Sequence, residues 1–239
     1  MRESVFRFKQ FSVKNEKSAM KVGTDGVLLG AWCNVDDCRR VLDIGAGTGI
    51  ISLMIAQRAP MATIDAVEID CDAYAEAKDN FAASPWHDRL NAICGDFNGY
   101  AATCQEKYDL IVSNPPFFMN GVLPPDDSRR YARHCDTLSF EDLLDGAAGM
   151  LDANGRLCLI APFDSKNIIN RISHGCGLFV KKMTIVYPKP DSQPKRILWE
   201  LTKGDDVETV HDELIIEVGE RHCYSDEYVA MTKDFYLKM

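Results

Sequence analysis

Arg40-Val41-Leu42-Asp43-Ile44-Gly45-Ala46-Gly47-Thr48-Gly49-Ile50 runs from an apolar, β-branched stretch through three glycines at alternate positions and straight into a second apolar stretch that ends at Arg58, before Pro60. A strand, a glycine turn and a helix in that order open a parallel βαβ unit. The turn lets the backbone come close to a ligand, and the helix N-terminus beyond it favours negative charge.

The same alternation continues downstream. Apolar β-type runs at residues 63–69, 90–94, 108–113, 155–162 and 178–187 are separated by helical stretches at 72–83, 139–150 and 165–173, with Ser139 as a cap and Glu141 and Asp142 in the first turn after it. Near-continuous apolar strands between helices imply a parallel sheet covered on both faces. The runs at 178–187 and 197–202 are joined only by the Pro-rich turn 188–196, so they should pair antiparallel. The expected fold is α/β, with a seven-stranded, mostly parallel sheet, an antiparallel last strand and helices on both faces. Residues 213–218 are a candidate further edge strand, and Ser225 opens a last helix whose Tyr228, Met231 and Phe235 recur at helical spacing. No repeat or linker divides residues 1–239, which read as a single domain. Residues 1–38 form an extension: Phe6, Phe8 and Phe11 suggest a short hairpin, and Thr24 or Asp25 is placed to cap a helix over 27–32. Lys21, Thr24 and Asp25, set among glycines, suit a ligand rim.

Composition bounds the class. The chain has 239 residues, 46% hydrophobic and 26% charged, ordinary values for a globular protein. It contains neither a signal-peptide pattern nor an apolar run of membrane-spanning length, so a cytoplasmic location is expected, as a monomer or weak dimer. Nine scattered cysteines without a Cys-x-x-Cys pair argue against a zinc site or a disulfide framework, and no metal is expected. A formal charge of −9 disfavours extended nucleic-acid binding, which needs a basic footprint.

Two motifs carry chemistry. Glu68 lies 21 residues beyond Gly47, at the end of the next strand, where a carboxylate can accept both hydroxyls of a ribose. Turn and carboxylate alone fit NAD or S-adenosylmethionine equally. The dinucleotide fingerprint asks for Gly-x-Gly-x-x-Gly, however, and Ile50 stands where its third glycine belongs. The absence of a His/Lys/Tyr constellation also speaks against a nicotinamide oxidoreductase. The second motif, Asn114-Pro115-Pro116-Phe117, ends the run Tyr108–Val112. Two prolines fix φ and remove two donors, leaving carbonyls to point outward beside the Asn114 amide and an aromatic ring. By itself this is either a proline-terminated strand or a claw for a planar NH₂ group.

Asp43-x-Gly45-x-Gly47-x-Gly49 resembles the cofactor loop of class I S-adenosylmethionine-dependent methyltransferases, which have a Rossmann-like fold. That resemblance implies S-adenosylmethionine as cofactor, Asp96 as acceptor for the adenine amine, and Phe97 beside the ring. Asn114-Pro115-Pro116-Phe117 then resembles the signature of enzymes that methylate planar amines: N6 of adenine, N2 of guanine in ribosomal RNA, or a release-factor glutamine. Asn114, Pro115 and Phe117 are the implied catalytic set, with Asn114 also touching the cofactor. Phe8-Lys9-Gln10-Phe11, Lys21-Val22-Gly23-Thr24-Asp25-Gly26 and Asp234-Phe235-Tyr236-Leu237-Lys238-Met239 are similar to the bacterial tRNA1(Val) adenine N6-methyltransferases, which act on adenine 37 beside the anticodon. The likeness spans about Phe6 to the last residue. It implies that Lys21, Thr24 and Asp25 lie at the methionine end of the cofactor and that the partner is a tRNA anticodon stem-loop. Arg129, Arg130, Arg133, Lys189, Lys195 and Arg196 are the candidate phosphate contacts. A release-factor enzyme of this type would carry an N-terminal helical domain, for which 38 residues leave no room. A non-catalytic binding module is disfavoured by the intact Asn-Pro-Pro-Phe.

Overall fold

The computed structural model describes residues 4–18, 21–116, 138–204 and 208–239. Phe117, Arg129, Arg130 and Arg133 lie outside the described residues.

A short antiparallel hairpin, β1 (Val5–Arg7) with β2 (Ser12–Lys14), precedes α1 (Thr24–Trp32). The alternating core follows: β3 (Arg40–Ile44), α2 (Ile50–Arg58), β4 (Thr63–Glu68), α3 (Cys71–Ala82), β5 (Leu90–Cys94), α4 (Phe97–Thr103) and β6 (Tyr108–Ser113). Then come α5 (Phe140–Met150), β7 (Leu151–Pro162), α6 (Lys166–Gly175), β8 (Leu178–Tyr187), β9 (Arg196–Lys203), β10 (Val210–Ile215) and α7 (Asp226–Thr232). Among the described residues no helix is long and apolar enough to cross a membrane.

The main sheet has the order β10-β8-β9-β7-β6-β3-β4-β5. Among the described residues it therefore has eight strands rather than the expected seven. β9 is the antiparallel one, paired to β7 and β8, and β10 adds a parallel edge against β8. The reason is directional: β9 ends low in the sheet, and β10 starts level with Lys182 and climbs beside β8. β7 also starts earlier than its apolar run suggests. Leu151 pairs with Tyr108, and a register shift follows before Leu110 meets Arg156. Gly155 makes that irregularity fit, because a Cβ there would lie 2.7 Å from the Tyr108 carbonyl oxygen.

The central strands are buried on both faces, and two apolar clusters lie one on each side. One holds α1, α2 and the chain ends, including Phe8, Leu29, Met54 and Phe235; the other holds α5 and α6, with Phe97, Leu144, Ile169 and Trp199. The two chain ends meet: Lys9 N donates to Phe235 O at 2.8 Å, and Phe8 stacks on Phe11 and lies against Tyr236. Tyr228 and Phe235 are buried with Met231 packed beside them, as the helical spacing suggests.

α1 lies tightly on α2 because Gly26 and Gly30, one turn apart, face Ile50 and Met54. A Cβ on Gly30 would come within 2.9 Å of the Met54 sulfur. The cap of α1 is Gly23, without a side-chain bond, so neither Thr24 nor Asp25 caps it. Asp25 is turned away because its carboxylate accepts Arg196 Nε at 2.8 Å.

Candidate functional site

The connection from β3 runs to β4 on one side, whereas the connection from β5 returns to β6 on the other. The carboxyl ends of β3 and β6 thus flank the point where the winding reverses, the place where open α/β sheets take ligands.

On β3 the chain leaves Ile44 through Gly45 (φ 71°), Gly47 (φ 56°) and Gly49 (φ 77°), all left-handed. Two of these glycines are required for different reasons. At Gly49 a Cβ would come within 2.4 Å of the Phe81 ring, so the turn closes against α3. At Gly45 nothing lies within 4 Å of a built Cβ, so its backbone faces open space where a ligand can approach closely. That open cradle beside a helix N-terminus fits the polar end of a nucleoside cofactor.

Asp43 stands under the turn rather than in it. It is fully buried, and its Oδ2 accepts Ser52 N at 3.2 Å and Ser52 Oγ at 2.7 Å, tying the first turn of α2 to β3. Burial pushes its carboxyl up to about 6, against an opposing contribution from the Ser52 bonds. Because the folded value lies above the unfolded value of 3.8, the folded state binds more protons between them. The associated stability is complete below 3.8 and is lost as pH rises through about 6. We expect the wild type to lose roughly 1–3 kcal/mol relative to Asp43→Asn between pH 4 and pH 7, read by urea unfolding; parallel pH curves would refute this.

Glu68 closes β4. Its Oε2 accepts Gly47 N and its Oε1 accepts Asp70 N, both at 2.8 Å, and burial raises its carboxyl above the usual range. Each oxygen has a second acceptor direction, so ribose hydroxyls can add to these bonds. Glu68 is paired with Cys94 on β5, which brings Asp96 onto the neighbouring strand end. Asp96 is exposed and caps α4, its Oδ2 accepting Gly99 N at 2.8 Å. Phe97 is not offered beside it. Its ring is buried under α5, where a Cβ on Gly146 would come within 2.7 Å. The apolar surface at this rim is Ile69, 40% exposed directly after Glu68, which sequence reading passed over because it only ends an apolar run.

Beside the turn, Ser113 ends β6 opposite Ile44, and its hydroxyl donates to Ile44 O at 3.0 Å. This locks the start of Asn114-Pro115-Pro116 level with Gly45. Asn114 and Pro115 are buried and Pro116 is exposed.

The extension is strapped to this end by residues that sequence reading missed. Glu76 on α3, buried, accepts the backbone N–H groups of Glu16, Lys17 and Ser18, at 3.0 Å from Lys17 and 2.9 Å from Ser18, and its carboxyl is held below its ordinary value. One turn on, Asn80 accepts Lys14 N at 2.8 Å and donates to Thr48 O at 2.9 Å, joining extension and glycine turn. The Ser18 hydroxyl then lies 3.6 Å from a Cβ built on Gly47. Spacing of four on an amphipathic helix was the available signal, but nothing in it named the partner.

Of the other expected site residues, Lys21 and Arg196 are engaged within the protein. Lys21 Nζ donates to Asn15 O and Glu16 O, at 2.8 and 3.0 Å, so it secures the strap. Thr24 is exposed in the first turn of α1. Arg196, expected to meet RNA, is bonded to Asp25, while Lys189 and Lys195 are exposed in the β8–β9 turn at the same end of the sheet.

Comparison with known proteins is consistent with this geometry. The methyltransferase small domain family matches residues 18–174. A tRNA1(Val) (adenine(37)-N6)-methyltransferase from Bacteroides fragilis is 46% identical over 242 residues, covering all of both chains. Its namesake from Flavobacterium johnsoniae is 46% identical over 236 residues, 98% of this chain and 100% of the relative. Among solved structures, a predicted O-methyltransferase from Agrobacterium tumefaciens superposes with a TM-score of 0.66 at 21% identity, over 88% of this chain and 96% of the other, a likeness of fold.

Proposed function

The chain belongs to the methyltransferase small domain family, among the tRNA1(Val) (adenine(37)-N6)-methyltransferases, and from that membership we propose that it transfers a methyl group from S-adenosylmethionine to N6 of adenine 37 in a tRNA. The observation that supports this most directly is the register of β3 and β6, which sets Asn114-Pro115-Pro116 beside the Gly45–Gly49 turn.

In this reading Glu68 accepts the ribose hydroxyls, Asp96 accepts the adenine amine of the cofactor, and Ile69 lies against its base. When bound, S-adenosylmethionine supplies an electrophilic methyl carbon on a sulfonium. The acceptor amine is a poor nucleophile because its lone pair is delocalised into the ring. The Asn114 side-chain carbonyl and the Pro115 main-chain carbonyl accept its two N–H groups, favour a pyramidal nitrogen, and bond more strongly as positive charge develops there. The methylated ammonium is acidic enough to lose its proton without a dedicated base. Phe117 stacking on the target base is part of the same proposal, and so is a cytoplasmic setting. An unpaired loop base costs only a few kcal/mol to swing out, less than a duplex base.

The test is incubation with methyl-labelled S-adenosylmethionine and either total tRNA or release factor, followed by nucleoside analysis. Label is expected in N6-methyladenosine from tRNA. Label confined to protein, or found as N2-methylguanosine, would overturn the assignment.

A further inference from the structure

The overall charge of −9 conceals a division of charge. The first 21 residues carry six Lys or Arg against two Asp or Glu, and the remaining 218 carry 21 against 34. The basic part is the extension strapped to the glycine turn.

Strand alternation sorts its side chains. Phe6 and Val13 are register partners on the face shared with Phe8; Val13 and Phe8 are buried, and the exposed Phe6 lies against Phe8 and Tyr236. Arg7 and Lys14 therefore stand on the outer face of the hairpin, and both are exposed. Lys17 follows on the strap, exposed, its backbone N–H bonded to Glu76 and one residue before Ser18 at Gly47. Among the described residues none of Arg7, Lys14 and Lys17 makes an ion pair. By contrast, Lys9 and Lys21 spend their ammonium groups on backbone carbonyls. Lys189 and Lys195 lie in the β8–β9 turn, on the other side of β6. The hairpin packs on α3 beside β4 and β5, so the two basic segments lie on opposite sides of β6 in the sheet order.

We propose that the outer face of the N-terminal hairpin and its strap, through Arg7, Lys14 and Lys17, is a docking surface for the tRNA phosphate backbone next to the target base. This rests on the tRNA reading above and names the surface that serves it. Cations held by a rigid hairpin lose little freedom on binding, and phosphate contacts fix orientation without reading sequence. A strap anchored to the cofactor turn also couples that orientation to the methyl donor.

The experiment compares the wild type with the triple variant Arg7→Gln/Lys14→Gln/Lys17→Gln, and with Arg39→Gln, an exposed cation at the opposite end of the sheet. The measurements are binding of an unmodified tRNA transcript across a salt series, S-adenosylmethionine affinity by calorimetry, and thermal melting. The triple variant should bind tRNA about tenfold or more weakly at low salt, with the slope of log K against log salt reduced by about two, since each lost phosphate contact removes roughly 0.7–0.9. Cofactor affinity and melting should stay unchanged, and Arg39→Gln should bind tRNA as the wild type does. Unaltered tRNA affinity and slope in the triple variant, or an equal loss in Arg39→Gln, would overturn the proposal while leaving the proposed activity standing. A wild type that neither binds nor methylates tRNA would overturn both.

Discussion

Asn114→Ala is expected to lower the rate of methyl transfer about 10²–10³-fold, the scale found when one preorganised partner of a developing charge is removed, while S-adenosylmethionine affinity changes little. The two effects separate because Asn114 is asked to act on the amine, whereas the groups proposed to hold the cofactor stand on β3, β4 and β5. The backbone on either side of it is secured by other residues. Ser113 secures the strand end through Ile44 O, and two prolines fix the chain beyond. The truncation therefore leaves the turn standing, and unchanged melting would confirm that the loss is chemical. Asn114→Asp retains an acceptor oxygen and should recover part of the rate. Single-turnover kinetics with bound cofactor give the measurement; a rate within threefold of wild type in Asn114→Ala would remove the amine claw from the mechanism.

Gly49→Ala should be the most damaging single methyl in the molecule. It would have to adopt φ 77°, which costs roughly 1–2 kcal/mol for a residue with a Cβ, and that Cβ would lie 2.4 Å from Phe81 Cε1 and 2.8 Å from Cζ. Phe81 is buried on α3, one residue beyond Asn80, whose amide holds both Lys14 and Thr48. The ring cannot withdraw without moving α3, the strap or the turn. A total loss of about 2–4 kcal/mol is expected, in the range of strain plus overpacking, and would take a large share of a typical stability of 5–15 kcal/mol. Gly45→Ala is the internal comparison. It has the same sign of φ but open space around its Cβ, so it should keep more stability and lose cofactor affinity instead. Urea unfolding and calorimetry separate the two, and equal stability losses would show that packing against Phe81 is not the cause.

The sequence by itself determined the elements that alternate with a clear period: the strands from β3 through β6 with α2 and α3 but not the short α4, the antiparallel return of β9, and the conjunction of a glycine turn with Asn-Pro-Pro-Phe. These were legible because each depends on neighbours within a few residues, through burial on both strand faces, backbone freedom at glycine, and the rigidity of proline. The eighth strand was half legible, since residues 213–218 had the apolarity of an edge but not the register that carries β10 beside β8 from Val210 onward. What only the tertiary structure decided was which polar groups meet across long separations. Glu76 reaches back 58 to 60 residues to hold the strap, Asp25 takes Arg196 from 171 residues away, and Phe97 turns into the core beneath Gly146 instead of facing a ligand. A charged or aromatic side chain has several partners of equal chemical merit along a chain. Sheet order and helix packing choose among them, because a buried polar group is stable only where the folded backbone brings it a partner.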